Sequence, residues 1–161
     1  MRIGVVSDTH DNLPNVSRIV GLLNAAGVAR VVHTGDITQP KTLEALANLR
    51  APLVGVYGNN DRERPALEAA AHRHGMHLAD PPLHLHWAGR DLTVVHDPED
   101  LTPELLLRHR IALHGHTHRR VLEERRGTLV FNPGECAGMM RGLNVVGVLD
   151  LVTLDVELLR F

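Results

Sequence analysis

The stretch Ile3-Gly4-Val5-Val6-Ser7-Asp8-Thr9-His10-Asp11-Asn12-Leu13-Pro14 decides the architecture. Its first residues make a short apolar run that reads as a buried strand, and from Leu13 to Ala26 apolar residues recur at helical spacing. Pro14 falls at the start of that helix, where a missing N–H costs nothing, and Gly27 can take the left-handed stop at its end. The unit then repeats. Val31-Val32 and Val54 to Val56 read as further buried strands, with a second helix from Pro40 to Leu49 between them. A βαβαβ start of this kind has parallel strands, and chemistry in such proteins gathers where strands end.

The second half changes character. Apolar runs at Leu83 to Trp87, Leu92 to Val95, Ile111 to Leu113, Val121 to Glu124, Leu129 to Phe131, Val145 to Leu149 and Val152 to Leu158 are separated mostly by Gly or Pro turns. Trp87 to Asp91 and Arg126-Gly127 read as hairpin connections. Short helices are expected only near Arg64 to His74 and Pro103 to His109. The fold class is therefore α/β: a four-layer α/β/β/α sandwich, with two mixed β-sheets packed face to face and flanked by helices. A chain of 161 residues fits one such domain, spanning 1–161, with a core that needs no disulfide.

Composition removes several function classes. Aromatic residues are 2% of the chain against 43% hydrophobic, so platforms for stacking single-stranded bases are missing. The net charge is -2 and basic clusters stop at Arg119-Arg120 and Arg125-Arg126, which gives no footprint for bulk nucleic acid. No run approaches the roughly 18 apolar residues that span a bilayer, so no membrane partner is expected. One cysteine, Cys136, permits no internal disulfide, and the chain opens directly into a strand. The expected setting is cytoplasmic.

Eight residues that can ligate metal, Asp8, His10, Asp36, Asn59, His96, His114, His116 and His118, each follow an apolar run. In extended chain Asp8 and His10 point to one side and can grip one ion. Asp36, with two carboxylate oxygens, can bridge two cations. Asp8 and Asp36 read equally well as helix caps or turn residues, Asn59 as part of an ordinary turn, and His96 as a hydrogen-bonded structural histidine. The segment His114-Gly115-His116-Thr117-His118 shifts the balance, because three imidazoles at alternate positions exceed what a core can satisfy. Gly115 would ease the turn between His116 and His118.

The order Asp8-x-His10, Gly35-Asp36, Gly58-Asn59-Asn60-Asp61, His96, Gly115-His116-Thr117-His118 resembles the calcineurin-like metallophosphoesterase superfamily over nearly the whole chain. It is most similar to the small single-domain branch that holds YfcE-type phosphodiesterases and the retromer scaffold Vps29, and Asn132 to Cys136 resembles that branch's last loop. The resemblance implies two divalent metal ions. One would be held by Asp8, His10, Asp36 and His118, the other by Asp36, Asn59, His96 and His116.

Carboxylate, amide and imidazole donors without thiolate suit Mn²⁺, placed first, with Fe²⁺, Ni²⁺, Mg²⁺ and Zn²⁺ as alternatives. The implied activity is phosphodiester hydrolysis, with a hydroxide bridging ions roughly 3.5–4 Å apart as nucleophile. Asp36, Asn59, His10 and His114 are the catalytic candidates, the two histidines as helpers of the leaving oxygen. Cys136 reads as a small buried residue, and His33 is assigned no role.

Two positions depart from the family pattern. Asn60 stands where many relatives carry a histidine that assists the leaving group, which favours an activated or diester substrate. Asp97 follows His96 where relatives usually have glycine, placing an extra carboxylate beside the site. The expected partner is a small phosphate ester, and the resemblance adds a homodimer or higher oligomer. The rival readings are a phosphomonoesterase or nucleotidase with the same ions, and a non-catalytic scaffold.

Overall fold

In the computed structural model, which describes all residues 1–161, strands β1 (Arg2–Val6), β2 (Arg30–His33) and β3 (Leu53–Val56) lie parallel in the order expected of a βαβαβ start. The helices between them are α1 (Leu13–Ala26) and α2 (Pro40–Leu46). Asn12 caps α1 by accepting from the Asn15 N–H, and Gly27 closes it at φ 63°, a left-handed conformation free of Cβ strain in glycine. The second helix ends three residues before Leu49; Leu49 instead closes a tight turn onto the Leu46 carbonyl.

Then follow α3 (Arg64–Arg73), β4 (His77–Ala79), β5 (Leu83–Trp87), β6 (Arg90–Val94), α4 (Pro103–Arg108), β7 (Ile111–Leu113), β8 (Val121–Arg125), β9 (Thr128–Asn132), β10 (Val145–Asp150) and β11 (Val156–Arg160). Two sheets result, ordered β11-β10-β1-β2-β3-β4 and β5-β6-β7-β9-β8, and both mix parallel with antiparallel pairs. Both hairpins turn on two residues of positive φ, Ala88-Gly89 and Arg126-Gly127, the twist that matches right-handed strands. Strand β11 starts at Val156 rather than Val152, because Asp150 takes the Val152 and Thr153 N–H groups into a turn.

Three apolar layers fix the stacking. Ile3, Val5, Val32, Leu92, Ile111 and Phe131 meet between the sheets. Val16, Ile19, Leu23, Leu43 and Leu67 pack α1, α2 and α3 on the outer face of the first sheet. A smaller group, with Val95, Leu106, Ala112 and Val130, seats α4 on the outer face of the second. Along β7 the side chains alternate, Ile111 and Leu113 inward and Ala112 outward. The parallel strands of both sheets end at one rim. No helix is long and apolar enough to cross a membrane.

Candidate metal centre

Seven of the eight ligand-type residues meet at that rim. The first sheet delivers Asp8 and His10 after β1, Asp36 after β2 and Asn59 after β3; the second delivers His96 after β6, and His116 and His118 after β7. The donors fall into two adjoining groups. In one, His10 Nε2 lies 3.3 Å from Asp36 Oδ2 and 4.0 Å from Asp8 Oδ1, and His118 Nε2 lies 3.6 Å from Asp8 Oδ1. In the other, His96 Nε2 is 3.6 Å from Asp36 Oδ1 and 2.9 Å from Asn59 Oδ1, while His116 Nδ1 is 3.0 Å from that amide oxygen.

Asp36 stands between the groups. Its Oδ1 accepts from the Asn60 backbone N–H at 2.9 Å and its Oδ2 from the Asn60 side-chain amide at 2.8 Å. One oxygen is thereby turned toward each group. Behind it, Asp61 accepts from the N–H groups of Asp36 at 3.0 Å, Gly58 at 2.7 Å and Thr38 at 2.6 Å. Burial pushes the Asp61 carboxyl up from its ordinary value, and those N–H donors pull it back.

Asp8 is fully buried, and burial raises its pKa while the Ser7 hydroxyl and the histidines His96 and His118 oppose the rise. His33, also fully buried, accepts from the Gly35 N–H at Nδ1 and faces Thr9 Oγ1 with Nε2, tying the loop after β1 to the loop after β2. Burial lowers its pKa to about 3, so it is neutral.

The residues fit a pair of cations. Around one divalent ion bound at about 2.0–2.2 Å, neighbouring donors stand roughly 3–3.5 Å apart. His10 Nε2 is buried among carboxylates yet has no hydrogen-bond partner. His96 gives its Nδ1–H to the Thr34 carbonyl at 2.9 Å, which turns Nε2 toward the oxygens of Asn59 and Asp36. Electron-pair donors facing one another without a proton are resolved by a cation. Asp97 turns one oxygen into its own turn, accepting from Glu99 N–H, and leaves the other 3.7 Å from His116 Nε2.

Several sequence expectations are corrected. Asp8 and His10 do not alternate along an extended strand; they sit at φ 51° and 41°. Asp36, His116 and His118 also have positive φ, so five of the candidate ligands occupy left-handed backbone that costs of order 1–3 kcal/mol each for a non-glycine residue. Neither Asp8 nor Asp36 caps a helix, since Asn12 and Gln39 hold those places. Gly115 serves by closeness rather than by turning, because a Cβ there would lie 2.8 Å from Asp8 Oδ2 and from Thr34 Oγ1.

His114 is the eighth residue, and it does not join. Alternation along β7 turns it to the Ala112 side, where it is buried, held neutral by that burial, and bonded through Nδ1 to the Gly115 carbonyl. A leaving-group role for His114 is inconsistent with that orientation. Asp61 and His33 are supporting residues to which sequence reasoning assigned no role, and the hold of Asn60 on Asp36 was likewise unforeseen; the run Gly58-Asn59-Asn60-Asp61 was the available signal. Cys136 is buried with its thiol pushed up to about 12, no nucleophile at neutral pH.

Known proteins resemble this chain in sequence and fold. Residues 1–154 match the calcineurin-like phosphoesterase superfamily domain. A phosphodiesterase of Methanocaldococcus jannaschii, MJ0936, is 34% identical over 154 residues, covering 93% of each chain. The solved structure of an archaeal phosphodiesterase superposes with a TM-score of 0.91 at 31% identity, covering 100% of both chains. The Escherichia coli phosphoesterase YfcE shares the fold, with a TM-score of 0.72 at 21% identity over 99% of this chain and 98% of its own.

Proposed function

The chain belongs to the calcineurin-like phosphoesterase superfamily, whose members are metal-dependent, and from that premise we propose that it hydrolyses a small phosphate diester at the rim described above. The observation that carries the reading is Asp36, whose two oxygens are turned by Asn60 toward two separate donor groups. Asp8, His10, Asp36 and His118 would hold one ion, and Asp36, Asn59, His96 and His116 the other. Mn²⁺ is the ion we assign first, since oxygen and imidazole donors without thiolate suit it.

Two divalent ions held there would supply a bound water of lowered pKa and neutralise charge on the phosphoryl oxygens. The protein's own residues do the rest. Asp61 and His33 hold the loops of Asp8 and Asp36 in register, and Thr34 sets which ring nitrogen of His96 faces inward. His10 is taken up by the first ion, Asn60 is spent on Asp36 and His114 faces away, so none of these residues is left over as an acid for the leaving oxygen. A diester with an activated leaving group fits that lack better than an alkyl monoester.

The test uses protein stripped of metal and bis-p-nitrophenyl phosphate. Hydrolysis should be at background without metal and return on adding Mn²⁺. Equal rates in both states would refute the reading. A scaffold role is the second reading, and the retention of every candidate ligand speaks against it.

A further inference from the structure

A cavity of about 440 Å³ opens beside His118. Arg119, Arg120 and Arg160 line it, and the ion-paired arginines of the protein, Arg2, Arg64, Arg73, Arg108 and Arg125, lie elsewhere. Three arginines with no carboxylate partner thus line a space that touches the metal centre. The one acid in the lining, Glu135, is withdrawn: it is 1% exposed and accepts the Met140 N–H through Oε1. Met140, Leu143 and Leu158 make the walls apolar.

The opposite flank has the reverse charge. A cavity of about 210 Å³ against Asn59 and His96 is lined by Asp97 and Asp100, and its cation, Arg64, is already bound to Asp80. An anionic substrate reaching beyond the ions is repelled on that side and drawn toward His118 on the other. Guanidinium is also the group best matched to phosphate, through paired N–H donors.

We propose that the larger cavity is a subsite for a second phosphate. The preferred substrates are then phosphodiesters that carry a further phosphate across an organic spacer, the spacer lying on the apolar wall. The inference rests on the phosphodiesterase reading of the neighbouring centre.

The experiment compares two chromogenic esters that differ by one group: the 5′-p-nitrophenyl ester of thymidine 3′,5′-bisphosphate and that of thymidine 5′-monophosphate. With Mn²⁺ present, kcat/KM for the bisphosphate ester should be at least tenfold higher. That ratio should fall toward one in the double variant R120Q/R160Q and as salt rises. A ratio near one in the natural protein, or one that survives the double variant, overturns the proposal.

Calorimetry reads the cavity without turnover. Thymidine 3′,5′-bisphosphate should bind at least tenfold tighter than thymidine 5′-monophosphate, and the double variant should abolish the difference; equal affinities in the natural protein overturn the proposal independently. Loss of hydrolysis with the binding preference intact would sink the phosphodiesterase reading and leave the subsite standing.

Discussion

Replacing Asp61 by Asn tests whether the loop behind the candidate ions is held by charge. The carboxylate accepts three backbone N–H groups, two at Oδ2 and one at Oδ1. An amide can keep its oxygen where Oδ2 stands, but its NH₂ then confronts the Thr38 N–H. One partly buried donor loses its acceptor, at a cost of about 1–3 kcal/mol, and the two retained bonds lose charge assistance of about 1 kcal/mol each. Relief of the carboxylate's own burial, which raises its pKa, offsets part of this. The net expectation is about 3 kcal/mol, or a fall in Tm of roughly 6–12 °C for a domain of this size.

Urea unfolding of the metal-free protein, followed by circular dichroism, measures the stability. Because two of the three donors, Asp36 and Gly58, lie in the loops that aim Asp36 and Asn59, Mn²⁺ affinity by calorimetry should also drop about 10–100-fold. A stability change below about 0.5 kcal/mol together with unaltered Mn²⁺ affinity would refute the account of how the loops are positioned.

Other outcomes are equally open to measurement. D36N should lower Mn²⁺-dependent hydrolysis by more than about 100-fold, and a near-normal rate would remove Asp36 from between the ions. Mn²⁺ at about 100 times its dissociation constant should stabilise the fold by about 2.7 kcal/mol, seen as a rise in Tm across a titration. G115A should cost about 1–3 kcal/mol through the approach of its Cβ to Asp8 and Thr34, read by urea unfolding. His33 has a folded pKa of about 3 against 6.5, so the unfolded chain takes up a proton that the folded one refuses. In metal-free protein that stability is present above pH 6.5 and lost progressively toward pH 3, of order 5 kcal/mol in all, and H33Q should show a shallower loss.

The sequence made the core strands and α1 readable because their apolar periods are clean and their ends carry Pro14 and Gly27. It hid β4, whose His77-Leu78-Ala79 has no β-branched residue and becomes a strand only by pairing with β3. The same limit applies at the site. Ligand chemistry marks Asp8, Asp36, His116 and His118, yet the left-handed backbone they share is imposed by loops packed from both sheets. Asp61 looked like a turn residue, since its task depends on Asp36 and Thr38, more than twenty positions away in the chain. His114 was misread because three histidines in a row of alternate positions say nothing about which face each one takes.

Each donor group draws on both sheets: Asp8, His10 and Asp36 reach His118, and Asp36 with Asn59 reaches His96 and His116. Bound cations would therefore act as clasps across the seam of the sandwich, reinforcing halves otherwise joined by packing and by hydrogen bonds such as that of His96 to the Thr34 carbonyl. A half-assembled chain, with one layer formed and the other still loose, would have too few donors to retain both ions. Metal uptake would then register completed assembly, and chelation would loosen the seam at the very edge where substrate arrives.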